Sequence, residues 1–263
     1  MQRIVHLIPL GWDFDRAVLP VQAMRAHRVY LLCDPKGYAL REHYLKRVSR
    51  ALNDLNVECL HVKVDSYEDL DGTMRAASKL IQSETRAGNR VLVNVATSGK
   101  LAAIAVALAA MAHLPPGAGE LYYVKAKRYP TSYRGQRLHG IAAGMVGDPV
   151  ALPLFPIALP DKICSFVITL LAASPHTELS YSVIMERLRV EGFGGFALAP
   201  GISKPTRRER VRISVRLNQR VVRRLEALGL VESIAAGRSR SLRLTTAGAH
   251  VASLVSNAEG VRD

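Results

Sequence analysis

The stretch Val91–Lys100, VLVNVATSGK, runs straight into Leu101–His113, LAAIAVALAAMAH. A run rich in β-branched residues gives way to four small or charged ones, and an alanine-rich apolar segment follows at once. Branched side chains suit a pleated, buried strand, whereas alanine and leucine suit a helix. The junction therefore reads as strand, tight turn at Thr97-Ser98-Gly99-Lys100, and helix. The same grammar holds on both sides of it. RIVHLIPL (3–10), RVYLLC (28–33), VECLHVKV (57–64), RVLVNVA (90–96) and ELYYVKA (120–126) read as strands. Helical segments fall near 13–25, 37–53, 67–86 and 99–113. Strands alternating with helices of this length imply βαβ units, hence an α/β fold with a parallel sheet covered on both faces.

The chain has 263 residues, 49% of them apolar, enough for two domains with real cores. The longest near-unbroken apolar run, Leu101–Ala112, is too short to span a membrane. Trp12, Asp13 and Asp15 interrupt the first apolar stretch too early for a signal peptide. The three cysteines, Cys33, Cys59 and Cys164, lie far apart without a CxxC, and the eight histidines form no HxxxH. These features predict a soluble cytoplasmic protein in a reducing interior, with no membrane partner, no metal and no tightly held cofactor.

After His139 the grammar changes. GMVGDPVALPLFPIALPDK (144–162) carries Pro149, Pro153, Pro156 and Pro160, so it reads as an extended connector with at most one edge strand. The domain boundary is placed near Ile157, giving domains 1–156 and 157–263. Helices are expected at 161–173 and 180–190, and EGFGGFALAPGISKPT (191–206) reads as a linker, since no strand precedes its glycines and no Gly-Lys-Ser/Thr follows. A helix is expected over 214–228, with Leu217, Val221, Leu225 and Leu228 on its apolar face and Gly229 as its stop. LVESI and SLRLT then flank AAGRSR as strand, turn at Gly237, and strand, and Thr245 or Thr246 caps a last helix near 247–256.

The net charge is +14. It concentrates between Lys204 and Arg224, where Arg207, Arg208, Arg210, Arg212, Arg216, Arg220, Arg223 and Arg224 stand against Glu209 alone. At 100° per residue Arg212, Arg216, Arg220, Arg223 and Arg224 gather opposite the apolar face. Arginine is the cation of choice for phosphate and guanine, so double-stranded DNA is the expected partner. RRLEALGLVES (223–233) followed by LRLTTAG (242–248) resembles the recognition-helix-to-wing signature of MarR- and ArsR-type regulators. The resemblance implies a C-terminal winged helix-turn-helix domain, its 214–228 helix in the major groove and Arg238 and Arg240 on the wing at the backbone or minor groove.

In a parallel sheet, ligands bind beyond the C-terminal strand ends. Thr97, Ser98, Gly99 and Lys100 lie there, with free helix N–H groups, two hydroxyls and a point charge. After the first strand, PLGWDFD offers Gly11, Trp12 for stacking on a base, and Asp13. HLIPLGWDFDRAVLPV, VNVATSGKLAAIA and YYVKAKRYP together resemble the CARF domain, the CRISPR-associated Rossmann fold, and in particular archaeal regulators that join it to a winged helix. The resemblance covers most of residues 1–160. It implies a Rossmann-like ligand-sensing domain and a homodimer that binds cyclic oligoadenylate, such as cyclic tetra-adenylate, across its two-fold axis. It assigns Leu10, Gly11, Trp12 and Asp13 to the first ligand motif and Thr97, Ser98, Gly99 and Lys100 to the second. The family usually carries Gly-Thr-Lys or Ser-Gly-Thr-Lys where this chain has Thr-Ser-Gly-Lys. RYPTSYRG (128–135) adds Arg128, Tyr129 and Arg134 near the same end of the sheet. The implied function is an antiviral-defence transcription regulator responding to the nucleotide. A ring nuclease using Thr97, Ser98 and Lys100, and a non-CRISPR regulator with another effector, stay open beside it. A nicotinamide dehydrogenase does not fit, because the first turn lacks GxGxxG.

Overall fold

The computed structural model describes residues 2–34, 39–197, 206–236 and 239–255. The chain folds as two compact units, Met1–Ile157 and Ala158–Asp263.

The first unit is an α/β fold around a mainly parallel, Rossmann-like sheet. Its elements run β1 (Ile4–Pro9), α1 (Asp15–Ala23), β2 (Arg28–Cys33), α2 (Ala39–Asp54), β3 (Glu58–Lys63), α3 (Leu70–Arg86), β4 (Arg90–Asn94), α4 (Lys100–His113) and β5 (Gly119–Tyr123). A small antiparallel pair follows, β6 (Ala126–Arg128) and β7 (Ala143–Met145), enclosing α5 (Tyr133–His139). The edge strand β8 (Val150–Leu152) closes the unit. The strand order is β3-β2-β1-β4-β5-β8, parallel throughout except for β8 on β5. That edge tolerates the flanking Pro149 and Pro153, which cannot donate to a central ladder. The chain winds outward one way from β1 and the other way from β4, so the loops after these two strands lie side by side.

Burial follows the two faces of the pleat. Ile8, Val29 and Leu31 pack with Ala17, Val18 and Val21 of α1 and Val48 and Leu52 of α2. Val5 and Leu7 point the other way, toward α3 and α4. There α4 presents Ala102, Ala105, Ala109 and Ala110, all buried, and small side chains let it lie close against Met74, Ala77 and Ile81 of α3. Asp69 caps α3 by accepting the Gly72 N–H at 3.0 Å. His6 is fully buried, shares a 2.8 Å hydrogen bond with the Tyr122 hydroxyl, and is pushed by burial down to about 3, so it is neutral at ordinary pH.

The second unit runs α6 (Lys162–Ala172), β9 (Glu178–Ser180), α7 (Tyr181–Val190), α8 (Arg207–Leu217), a π-helical turn (Asn218–Val222), α9 (Arg223–Ala227), β10 (Val231–Ala236), β11 (Ser239–Leu244) and α10 (Thr246–Val255). Its antiparallel sheet has the order β10-β11-β9. Asp161 and Ser180 cap α6 and α7, and the Thr245 hydroxyl accepts the Gly248 N–H at the start of α10. The core gathers Ile168, Leu171, Ile184, Leu188, Phe196 and Leu217 with Val221, Val222 and Leu225.

The helix expected from Ser214 begins seven residues earlier, at Arg207. Thr206 and Glu209 form a capping box there: the Thr206 hydroxyl accepts the Glu209 N–H at 3.2 Å, and the Glu209 carboxylate accepts the Thr206 N–H at 2.9 Å. The helical path then runs to Ala227 through the π turn, whose extra residue lets Val221 and Val222 both face the core. Leu228 falls outside the apolar face and is 59% exposed.

Candidate functional site

The loops after β1 and β4 are joined by their backbones. The Gly11 N–H donates to the Thr97 carbonyl at 2.8 Å. A Cβ on Gly11 would stand 2.2 Å from that oxygen and 3.1 Å from the Ser98 Cα, so only glycine allows this approach. The Thr97 hydroxyl returns the tie by donating to the Pro9 carbonyl at 2.7 Å, and Thr97 is 1% exposed. Asn94 holds the end of β4. Its amide donates to the Arg16 carbonyl at 3.0 Å and its side-chain oxygen accepts the Ala96 N–H at 2.8 Å. The Leu10 carbonyl accepts the Tyr67 hydroxyl at 2.9 Å, and the Leu10 side chain is buried.

Asp13 faces inward. It is buried, paired with the Arg16 guanidinium at 2.5 Å, and accepts the Ala142 N–H at 2.9 Å. Burial pushes its carboxyl up from the ordinary value, and Arg16 opposes that shift. Two further bonds fix the Gly140–Met145 segment over this loop: Ile141 N–H to the Trp12 carbonyl at 2.9 Å, and Gly144 N–H to Asp15 at 2.5 Å. His139 also meets Asp15 at 2.9 Å.

Of the eight residues that the sequence assigns to the ligand motifs, Leu10, Gly11, Asp13 and Thr97 thus form the frame. Trp12 and Ser98 are half-buried, and Gly99 and Lys100 are exposed. The Ser98 hydroxyl makes one long contact within its own turn, to the Gly99 carbonyl at 3.3 Å. Lys100 begins α4 with no ion pair among the described residues. The joined loops thus carry a hydroxyl, a cation and the first N–H groups of α4 on one side and an indole on the other, residue types that suit an anionic, aromatic ligand. Next to the first loop, Arg128, Tyr129, Thr131, Arg134 and His139 line a cleft of about 380 Å³. The sequence places Arg128, Tyr129 and Arg134 near this end of the sheet and assigns them no element. Sequence reasoning missed α5, Asn94 and the Asp15–His139 tie, which depend on long-range contacts. Among the described residues, no group of His, Cys, Asp and Glu gathers as a metal site, and no helix is long and apolar enough to cross a membrane.

In the second unit the arginines divide. Arg216 donates to the Gly195 carbonyl at 2.6 Å, Arg220 reaches the Gly194 carbonyl at 3.5 Å, and Arg224 pairs with Asp161. Gly195 sits at φ +90, and a Cβ there would meet the Arg216 guanidinium at 2.2 Å. These three side chains, expected on a free arc, each make a contact within their own unit, though Arg220 and Arg224 stay exposed. Arg207, Arg208, Arg210, Arg212 and Arg223 are exposed along the helix, and Arg240 is exposed on β11. Arg238 lies outside the described residues.

Residues 4–129 match the model of a family described as HFX_2341_N:-like, N-terminal. No curated protein matches the chain. Among solved structures, Can2 from Sulfobacillus thermosulfidooxidans, in complex with cyclic tetra-adenylate, is similar at TM-score 0.39 and 18% identity, covering 80% of this chain and 57% of that one. Csm6 from Enterococcus italicus, bound to cyclic hexa-2'-fluoro-hexa-dAMP, gives TM-score 0.43 and 12% identity over 73% of this chain and 50% of that one. VC1899 from Vibrio cholerae gives TM-score 0.40 and 10% identity over 95% and 64%. The chain thus spans between half and two thirds of the length of each of these proteins.

Proposed function

We propose that the chain is a homodimeric, ligand-responsive DNA-binding transcription regulator, CRISPR-associated, whose first unit senses cyclic oligoadenylate and whose second unit is a winged helix. The observation that carries the ligand half is the pairing of two loops at the switch point, with Lys100, exposed and without an ion pair among the described residues, following Ser98 in the second of them. Their resemblance to the CARF motifs names the nucleotide, with cyclic tetra-adenylate as the first to try. Leu101, Ile104 and Ile141 are 46%, 49% and 53% exposed near these loops, an apolar rim suited to a second copy. A two-fold axis there would present each donor twice to a symmetric ring. The DNA half is supported by the element order α6-β9-α7-α8/α9-β10-β11 and by the exposed arginines of α8.

Calorimetric titration with cyclic tetra-adenylate, followed by chromatography of the nucleotide, tests the ligand half. The expected result is one ring per two chains, recovered intact, and an affinity that drops about tenfold or more in Lys100→Ala without loss of fold. Unchanged affinity in the variant removes Lys100 from the site. Linear products would establish the ring-nuclease reading instead, and absence of binding would assign a different effector.

A further inference from the structure

We infer that Val211 and Val215 of α8 are base-reading residues, each taking the 5-methyl group of a thymine in the DNA major groove. The inference rests on the DNA-binding reading above and deepens it.

The geometry of α8 carries it. At about 100° per residue, with Val211 as origin, Val215 stands at about 40°, Arg208 at about 60°, Arg207 at about −40° and Arg212 at about 100°. The buried Ile213 and Leu217 stand at about 200° and 240°. The outermost strip of the helix, opposite its core face, is therefore apolar at its centre and cationic on both flanks. Val211 is 59% exposed and Val215 49% exposed, while Arg207, Arg208, Arg210 and Arg212 are exposed around them. Arg216, Arg220 and Arg224 stand at about 140°, 180° and 220° on the same wheel, away from this strip, and reach Gly195, Gly194 and Asp161. That leaves the valines as the centre of the free face.

Two exposed valines bring this helix no core packing, and valine forms helices less well than arginine or glutamate. Their occupant must be anionic, because a second copy of the same face would set arginine against arginine. It must also offer small apolar groups inside a groove that admits a helix. The thymine methyl in the major groove meets both conditions, with the flanking arginines on phosphates. Four residues of helix separate the valines by about 6 Å, which places the two methyls on neighbouring or next-neighbouring base pairs.

The test selects binding sites from a random duplex library with the full chain, with and without cyclic tetra-adenylate. It uses the native protein and the double variant Val211→Ala, Val215→Ala. The native protein is expected to select thymine at two nearby positions per half-site. Replacing those thymines by uracil, which removes only the methyls, should weaken its binding about fourfold per methyl. The double variant should lose both the preference and the sensitivity to uracil, while keeping its salt dependence. Equal affinity of the native protein for thymine and uracil probes overturns the inference. So does a double variant with unchanged site selection; if its mass also falls to that of a monomer, the valines bind a second copy instead. Failure of the native protein to bind any duplex at low salt overturns the DNA-binding reading itself.

Discussion

Replacing Thr97 with valine removes one hydroxyl and keeps the branched shape of the side chain. That hydroxyl donates to the Pro9 carbonyl at 2.7 Å, in a residue only 1% exposed. A buried neutral hydrogen bond contributes about 1 kcal/mol, and stripping a buried carbonyl of its donor costs about 1–3 kcal/mol, so about 2 kcal/mol is the working figure. Thr97→Ser keeps the donor and loses one methyl, about 1 kcal/mol. The assay is urea unfolding of the full chain followed by tryptophan fluorescence. Trp12 is the single tryptophan and sits in the loop that Thr97 supports, so the signal reports the first unit alone. The expected result is a lower midpoint at unchanged slope for Thr97→Val, a smaller drop for Thr97→Ser, and nucleotide affinity within about threefold of native for both folded variants. An unchanged midpoint with lost nucleotide binding would refute the reasoning. It would mean that the hydroxyl faces the ligand rather than the strand.

Gly11→Ala forces a Cβ against the Thr97 carbonyl and Ser98 Cα, both backbone, so the two loops must part. A loss of about 1–3 kcal/mol in the Trp12-detected transition, together with loss of nucleotide binding, is expected, and normal stability with normal binding would contradict the joined-loop site. Burial holds His6 at about 3 against an unfolded value of 6.5, so below pH 6.5 the unfolded chain takes up a proton that the native chain refuses. This contribution is present above pH 6.5 and lost at about 1.4 kcal/mol per pH unit as pH falls toward 3. The loss reaches about 2 kcal/mol at pH 5, and the paired replacement His6→Leu, Tyr122→Phe should flatten that slope in unfolding titrations. Arg212→Ala should reduce the slope of log affinity for DNA against log salt by about 1, whereas Arg216→Ala should lower the stability of the second unit and change the slope little. Equal effects of the two on the slope would contradict the inward placement of Arg216.

The alternation of strands and helices was legible because branched and alanine-rich segments differ in period and composition. The places of the loops after β1 and β4 were legible because they follow strands directly. What local pattern does not contain is the strand order, and it is β1 beside β4 that brings Gly11 against Thr97. The hydroxyl of Thr97 and the carboxylate of Asp13 look like ligand groups in sequence because nothing local reveals that Pro9, Arg16 and Ala142 already use them. The start of α8 was missed although its signal was present: Thr206-Arg-Arg-Glu209 is a capping box, here hidden at the end of a run read as linker. The arginine arc is free only in part, for a different reason. A helical wheel treats every outward position as solvent, and it cannot see the carbonyls of Gly194 and Gly195 that draw Arg220 and Arg216 back.

The wiring of the first unit also constrains how a ligand can act on it. Gly11 to Thr97, Asn94 to Arg16, Asp13 to Ala142 and Trp12 to Ile141 link the two loops and the Gly140–Met145 segment through bonds that are mostly buried. Breaking any one strands a polar group away from water, so these parts move together or not at all. A ligand shifts an equilibrium only by binding two arrangements with different affinity. On the proposed function, that difference must then arise in the groups left outside the frame, which are Trp12, Ser98 and Lys100, and in how two copies of the frame face one another. Substitutions in the frame should accordingly act through stability, and substitutions at the three free side chains through affinity, which is the division that Thr97→Val and Lys100→Ala separate.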